Sequence, residues 1–247
     1  MPDSRQIPDY RQCIYDQYLS MKIKPGGRTF STTEYQRWAD AAQARLRGWL
    51  PADRHTPVLD LGCGPGNFLF LMEKLGYTNL TGVDLSGEQI EMARQWCHQA
   101  TLIHGDIKEF LSEDPGKFGL ITGFDIIEHF AKNEILPFIR QIAKALYPGG
   151  RVILQTPNAE SPWGLMHRYH DLTHEIAFDP HSLKHLLRMN GFAEFETREC
   201  GPYVHGIKSL VRFFCGVSLD WACSSGTWRK PEVRAAAFIP EILSSRR

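Results

Sequence analysis

The chain has 247 residues, and its 28 basic and 28 acidic side chains give a formal net charge of zero. This balance excludes a global electrostatic field that would draw the protein to nucleic acid or to an anionic membrane surface. The length suits one doubly wound α/β domain, so we expect a single domain spanning residues 1–247. No uninterrupted apolar run approaches the roughly 20 residues that a membrane-spanning helix needs.

The cysteines give an expectation about the cellular compartment. The chain has six of them, without any Cys-x-x-Cys spacing, and nothing before Tyr10 resembles an export signal. We therefore expect a cytoplasmic protein with reduced thiols. Composition and charge make no prediction about the oligomeric state.

The segment before the first strand is predicted to be helical in part. Apolar side chains recur at helical spacing between Thr33 and Leu50, and Pro51 and Pro57 end the pattern. We expect residues 1–56 to form a helical cover over a cofactor-binding core at residues 57–200.

From Val58 onward, short apolar strands alternate with helical segments. This alternation is typical of a parallel sheet covered by helices. Strands are predicted at residues 58–61, 80–84, 101–104, 120–125 and 151–156. Helices are predicted at residues 68–75, 87–99 and 134–146, with Ser86 as the cap of the second. The predicted fold is a Rossmann-like α/β domain with a seven-stranded, mostly parallel sheet and one antiparallel strand.

The pattern becomes irregular after the fifth strand. The remaining predicted elements are a long loop at 157–180, a helix at 181–189, a strand at 192–199 and a last strand at 236–244 within the segment 236–247. Residues 201–235 are predicted to form a helical insertion. Its apolar part, residues 204–222, contains Lys208 and Arg212, and the alternative to packing on the domain is weak contact with a membrane surface.

A glycine-rich turn joins the first strand to the first helix of the sheet: Asp60-Leu61-Gly62-Cys63-Gly64-Pro65-Gly66-Asn67. Glycine permits a positive φ and the close approach of a ligand to the backbone. The N-terminus of the following helix adds free N–H groups and the positive end of the helix dipole. Dinucleotide enzymes place their third glycine one residue later, where this chain has Asn67. The turn therefore predicts a polar ligand and argues against an NAD-dependent oxidoreductase.

Acidic residues also end the second and third predicted strands. Asp84 stands where folds of this kind place an acid that accepts hydrogen bonds from a ribose diol. Asp106 follows the third strand. Three acids in this order, with the glycine turn, are more specific than any one of them.

This arrangement resembles the cofactor motifs of class I S-adenosylmethionine-dependent methyltransferases, over about residues 57–157. The resemblance implies S-adenosylmethionine as cofactor, with Asp106 near the adenine amine and the Ile107 backbone near the adenine ring. The residues that we assign to the cofactor are Asp60, Gly62, Cys63, Gly64, Gly66, Asp84, Leu85, Asp106, Ile107 and Phe124. In the N-terminal cover, Arg37 is the candidate partner of the methionine carboxylate, with an exposed helix arginine as the alternative.

Two branches of the superfamily resemble different parts of the chain. Residues 124–130 resemble quinone O-methyltransferases, and residues 157–162 and 170–174 resemble methyltransferases encoded among bacterial polysaccharide and glycan genes. Both resemblances imply O-methylation. We expect a hydroxyl of a sugar or glycan intermediate as acceptor, and a quinone or phenolic small molecule as the alternative. A module that binds the cofactor without catalysis is a third hypothesis.

Candidate groups for the acceptor side follow the fourth and fifth strands. His129, His170 and His174 are candidate bases, because an imidazole titrates near neutral pH. The quinone branch also implies a magnesium-type ion at Asp125, Glu128 and His129, although Asp125 is shorter than the expected glutamate. The alternative is that Asp125 caps the next helix and His129 packs on the sheet.

Overall fold

The structure is a computed structural model that describes residues 10–15, 31–113, 116–161, 164–199 and 232–238. Its strands are β1 (Val58–Leu61), β2 (Leu80–Asp84), β3 (Thr101–His104), β4 (Phe118–Phe124), β5 (Leu146–Pro157), β6 (Glu194–Glu199) and β7 (Glu232–Phe238). Its helices are α1 (Tyr10–Tyr15), α2 (Thr32–Arg45), α3 (Asn67–Lys74), α4 (Gly87–Ala93), α5 (Ile107–Glu113), α6 (Lys132–Ala145), α7 (Gly164–His170) and α8 (Pro180–Arg188). A short 3-10 helix, Ile127–His129, follows β4.

The strands form a sheet in the order β3-β2-β1-β4-β5-β7-β6. Strands β1 to β5 are parallel, and β7 runs antiparallel to both β5 and β6. The chain moves outward from β1 through β2 to β3, and then crosses to β4 on the other side of β1. The predicted Rossmann-like α/β class is confirmed. In such a sheet, ligands bind beyond the carboxyl ends of the strands where the order reverses, here between β1 and β4.

The core lies on both faces of the sheet. All four residues of β1 are buried, as expected for a central parallel strand covered on both sides. Neighbouring residues alternate between the faces, so Leu59 packs with α6 while Val58 packs with α3. Helix α6 contributes Phe138 and Ile142 to the first face. This double-sided packing holds the carboxyl ends of β1 and β4 in fixed positions.

Several predicted boundaries need correction. Helix α5 was not predicted, and α7 lies inside the segment predicted to be loop. The apolar residues Leu165 and Tyr169 of α7 are exposed, so this helix has no buried stripe that a periodicity could reveal. Helix α4 ends at Ala93, earlier than predicted, and the Ser86 side chain makes no capping hydrogen bond.

Two strand boundaries also differ. Strand β5 begins at Leu146, because the chain continues through the predicted stop at residues 148–150 with a register shift opposite β4. The last strand is Glu232–Phe238 and not 236–244. The charged residues Glu232 and Arg234 interrupt the apolar pattern from which its first half could have been predicted. The segment 204–222 lies outside the described residues. The division into cover, core and insertion therefore stays a prediction. Among the described helices, none has the length and hydropathy needed to cross a membrane.

Candidate cofactor and acceptor site

A cavity of about 470 Å³ opens beyond the carboxyl ends of β1, β2 and β4. Most of the residues assigned to the cofactor line this cavity: Asp60, Gly62, Cys63, Gly64, Asp84, Leu85, Asp106, Ile107 and Phe124. His129, His174 and Asp125 line it as well. One cavity therefore holds both the glycine turn and the candidate acceptor groups.

The glycine turn requires glycine for two physical reasons. Gly62, Gly64 and Gly66 have φ angles of +64°, +54° and +84°, which L-residues rarely adopt. A Cβ at Gly66 would also lie 2.6 Å from Cys97 Sγ. Gly66 does not line the cavity itself but is the N-cap of α3. Its contribution is to let the chain turn from β1 into that helix.

The Asp84 side chain fastens this turn to the end of β2. Its Oδ2 accepts a hydrogen bond from Gly64 N over 2.8 Å, and its Oδ1 accepts one from Ser86 N over 2.8 Å. Burial raises the pKa of Asp84, and the two backbone hydrogen bonds oppose this rise. Each carboxylate oxygen keeps a second lone pair, so the carboxylate can also accept bonds from a diol.

The other two acids occupy different surroundings. Asp60 is buried, and Thr122 Oγ1 donates to its Oδ1 over 2.7 Å. Burial raises the pKa of Asp60 to about 7, although the Thr122 hydrogen bond acts in the opposite direction. Asp106 is partly exposed, and its Oδ1 accepts from Lys108 N over 2.7 Å at the start of α5. The cavity thus has a buried acid at β1 and a more accessible one beyond β3.

The structure places Arg37, the candidate partner of the methionine carboxylate, outside the lining of the cavity. It is exposed on α2. Tyr35 and Trp38 share the inward face of α2: the Tyr35 hydroxyl donates to Pro65 O over 2.6 Å, and Trp38 lines the cavity. Helical geometry turns Arg37 away from that face.

The arginine at the cavity wall is Arg11, which the sequence analysis missed. Its Nη1 donates to Glu134 Oε2 over 2.7 Å, and both residues line the cavity. The bond joins α1 to the start of α6, across 123 positions of the chain. No local pattern in the sequence indicates such a pairing.

The Glu134 carboxylate should make the free energy of unfolding depend on pH under acidic conditions. Although burial, its largest single influence, would raise the pKa of Glu134, the Arg11 and Ala131 hydrogen bonds and the Lys108 charge together lower it from 4.5 to about 2. A depressed folded-state pKa stabilises the protein above the ordinary pKa, and this stabilisation is lost as the pH falls through the folded value. We expect Glu134→Gln to reduce the free energy of unfolding by about 1 to 3 kcal/mol at pH 7.

The measurement is denaturant unfolding of both proteins between pH 7 and pH 2.5. The difference between them should shrink below about pH 4.5. The carboxamide oxygen of glutamine can still accept from Ala131 N, which donates to Glu134 Oε2 over 2.9 Å, so the variant removes mainly the charge. A difference that stays constant with pH would contradict a role for the ionised carboxylate.

The candidate acceptor groups meet beside the 3-10 helix. The His129 and His174 ring centroids lie 4.8 Å apart with an interplanar angle of 73°. His174 Nε2 is 4.0 Å from Glu128 Oε1, and both side chains are buried. The Glu128 carbonyl accepts from Glu175 N and Ile176 N over 2.7 and 3.1 Å, which holds the His174 segment against the 3-10 helix. Tertiary contacts bring residues together here that lie 45 positions apart in the sequence, at 129 and 174.

His170, the third predicted base, lies elsewhere. It is exposed at the end of α7 and does not line the cavity. His170 and His174 would lie one helical turn apart only if the segment between them were helical, and α7 ends at His170. The two side chains therefore do not share a helix face.

The magnesium set predicted from Asp125, Glu128 and His129 is also rearranged. In the described part of the chain, three side chains of types that can bind a metal come together: Glu128, His129 and His174. Their potential ligand atoms lie within 4.8 Å of one another. Asp125 instead accepts a hydrogen bond from Gln155 Nε2 over 3.2 Å and does not cap the 3-10 helix. Two imidazoles and one carboxylate do not suit Mg²⁺, which prefers oxygen ligands. We therefore derive no catalytic step through this ion.

Asp125 has the one positive φ among the described non-glycine residues, at 52°. Aspartate tolerates this left-handed conformation better than most residues. Its N–H donates to Gln155 O over 2.9 Å, so backbone and side chain are both tied to β5. This turn directs the chain from β4 into the 3-10 helix that carries His129.

The fold and this cavity define the class: a Rossmann-like domain whose glycine turn and strand-end acids are arranged for a nucleoside-containing cofactor. A family model described as a methyltransferase domain matches residues 24–196, which is more than half of the chain. The chain therefore belongs to this methyltransferase family. The resemblance to class I S-adenosylmethionine-dependent methyltransferases is confirmed. S-adenosylmethionine is therefore the cofactor expected for this family.

Relatives with assigned names match the chain over part of its length. A ubiquinone biosynthesis O-methyltransferase from Vibrio parahaemolyticus is 34% identical over 105 residues, which cover 41% of this chain and 43% of the relative. A trans-aconitate 2-methyltransferase from Azoarcus is 30% identical over 139 residues, 54% of this chain and 53% of the relative. The chain thus spans only about half or less of the length of these curated relatives.

Solved structures share the fold. A SAM-dependent methyltransferase from Archaeoglobus fulgidus has a TM-score of 0.61 and 21% identity, covering 81% of this chain and 94% of that protein. Haemonchus contortus phosphoethanolamine N-methyltransferase 2, in complex with S-adenosyl-L-methionine, has a TM-score of 0.60 and 16% identity, covering 92% and 60%. At these identities the likeness establishes the fold alone.

Proposed function

We propose that this protein transfers the methyl group of S-adenosylmethionine to a hydroxyl oxygen of a small acceptor, with a phenol or quinol as the acceptor class. The observation that carries the proposal is the shared cavity: the glycine turn and its acids, here called the cofactor end, line it together with His129 and His174, here called the acceptor end. A methyl donor and a proton acceptor can thus face the same bound hydroxyl.

The cofactor would occupy the glycine-turn end. Asp84 would accept bonds from the ribose hydroxyls through the lone pairs that its backbone contacts leave. Asp106 and Ile107 would meet the adenine. Asp60 would face the positively charged methionine portion of S-adenosylmethionine. Burial raises the pKa of Asp60, and a cation nearby would favour its ionised form.

The methyl transfer requires that the acceptor hydroxyl lose its proton. The acceptor oxygen attacks the methyl carbon, the bond from that carbon to sulfur breaks, and a thioether leaves. The hydroxyl proton passes to His129, which lines the cavity and whose imidazole can act as a general base. A carboxylate acceptor, such as that in the name of the trans-aconitate relative, is already ionised at neutral pH and needs no base. A histidine at this position therefore favours a hydroxyl acceptor.

Two observations favour a phenol or quinol. The relatives named for ubiquinone biosynthesis are O-methyltransferases. The cavity is also lined by aromatic side chains, namely Tyr15, Trp38, Phe124 and Phe130, which suit a flat ring. The relatives reported above are named for ubiquinone biosynthesis and for trans-aconitate, so the sugar or glycan acceptor that the sequence favoured is the second class to test.

The experiment combines binding with turnover. Calorimetry with S-adenosylmethionine, S-adenosylhomocysteine and NAD should show binding of the first two only. S-adenosylhomocysteine release should then be followed with 3,4-dihydroxybenzoate, methyl glycosides and trans-aconitate, in EDTA and in added Mg²⁺. We expect turnover with the dihydroxybenzoate, unchanged by EDTA.

Other results would revise the proposal. Turnover with trans-aconitate alone would contradict a hydroxyl acceptor, and turnover with the glycosides alone would replace the phenol by a sugar. Tight binding of NAD without S-adenosylmethionine would contradict the cofactor. Activity that EDTA abolishes and Mg²⁺ restores would contradict the metal-independent proton transfer.

A further inference from the structure

Thr173 lies between Asp171 and His129, and His129 lines the cavity. Its Oγ1 is 2.8 Å from His129 Nδ1 and 2.6 Å from Asp171 Oδ1. Its backbone N–H donates to the same Asp171 oxygen over 3.0 Å. The Tyr15 phenol of α1 is hydrogen-bonded to Thr173 as well. Since Thr173 is fully buried, these bonds hold its hydroxyl in one place.

The number of hydrogens on this hydroxyl determines the direction of each bond. A threonine hydroxyl has one hydrogen and two lone pairs, and a carboxylate only accepts. The single hydrogen must therefore point to Asp171, at 2.6 Å. Oγ1 then accepts from His129, so His129 Nδ1 carries a hydrogen. In a neutral imidazole with Nδ1–H, the basic lone pair is on Nε2.

We propose that Thr173 and Asp171 are positioning residues that hold neutral His129 in its Nδ1–H tautomer, with Nε2 as the atom that takes the acceptor's proton. This inference rests on the proposed function. When the O–H bond of the acceptor breaks, the proton binds Nε2 and the ring becomes positive. Thr173 then connects that charge to the Asp171 carboxylate, as a carboxylate orients the histidine of a serine protease.

His174 is the less suitable proton acceptor of the pair. Its Nδ1 donates to the His167 carbonyl over 2.8 Å, because a carbonyl oxygen has no hydrogen to give. The other ring nitrogen of His174, Nε2, is 4.0 Å from Glu128 Oε1. The His174 side chain is only 5% exposed, which limits the access of an acceptor. His129 is more exposed than His174, and both line the cavity. The acceptor hydroxyl would thus meet His129 first.

The test is the tautomer of His129, read from long-range ¹H–¹⁵N NMR spectra of the whole chain bound to S-adenosylhomocysteine. The His129 signals are assigned by their loss in His129→Gln. We expect Nδ1–H in the wild type and in Thr173→Ser, and a mixture of tautomers in Thr173→Val and Asp171→Asn. Turnover with the best acceptor of the panel should fall about 10- to 100-fold in Thr173→Val and recover in Thr173→Ser.

Thr173→Val has nearly the shape of threonine, and calorimetry with S-adenosylhomocysteine checks that it folds and binds as before. A wild-type His129 with Nε2–H, or an unchanged tautomer in both Thr173→Val and Asp171→Asn, would overturn the inference. A fixed tautomer in a wild type that methylates none of the hydroxyl acceptors would contradict the proposed function and leave the tautomer assignment standing. Failure of Thr173→Ser to restore turnover would contradict the positioning role.

Discussion

Asp84→Asn should weaken the binding of S-adenosylmethionine and S-adenosylhomocysteine by about 100-fold. The carboxylate accepts from Gly64 N and Ser86 N, so it sets the shape of the turn in addition to facing the ribose. An asparagine has one oxygen and an NH₂ group, and the NH₂ would face a backbone N–H that also donates. The variant therefore loses a charge-assisted bond in the turn and a contact with the ligand together.

Calorimetry with S-adenosylhomocysteine measures this effect without any acceptor. Glu88→Gln is a matched control, because Glu88 is an exposed acid on α4, four positions after Asp84 in the sequence. It should bind as tightly as the wild type. Thermal unfolding of the free proteins separates a misfolded turn from a lost contact. An affinity for Asp84→Asn within about threefold of the wild type would contradict the role given to this carboxylate.

His129→Gln should reduce methyl transfer to a hydroxyl by about 10²- to 10⁴-fold and leave S-adenosylhomocysteine affinity within about twofold. Glutamine can replace a hydrogen bond of the ring but cannot take up a proton at neutral pH. In the proposed reaction His129 contacts the acceptor and not the cofactor, so the affinity for S-adenosylhomocysteine should not change. The loss should therefore appear in kcat.

Single-turnover measurements with the preferred acceptor provide the rate of the chemical step. His185→Gln is the matched control, since His185 is an exposed histidine on α8. It should react as fast as the wild type. If His129→Gln kept full kcat while KM rose, His129 would bind the acceptor and would not take its proton.

The cofactor end could be predicted because its signals are local. The left-handed φ angles at Gly62, Gly64 and Gly66 require glycine wherever this turn occurs. The strands before Asp60 and Asp84 are short apolar runs that a parallel sheet buries on both faces, and their predicted bounds match the structure. Since parallel strands end at one edge of the sheet, their terminal acids must lie near each other.

The acceptor end could not be predicted in the same way. His129 and His174 carry no pattern that pairs them, and the segment between them includes a helix that has no buried stripe. Arg37 was chosen for its aromatic neighbours, but those neighbours face inward and Arg37 does not. Arg11 reaches the cavity wall through Glu134, a bond between distant parts of the chain.

The sequence by itself determined the class of fold and the cofactor, because backbone conformation and strand burial depend on residues that are close in the chain. Only the tertiary structure decided which side chains surround the acceptor and which nitrogen of His129 carries the hydrogen. Those features depend on hydrogen bonds such as that between Thr173 and His129, whose partners meet only after the chain has packed. Sequence spacing contains no information on the direction of such a bond, whereas the number of hydrogens on each group fixes it.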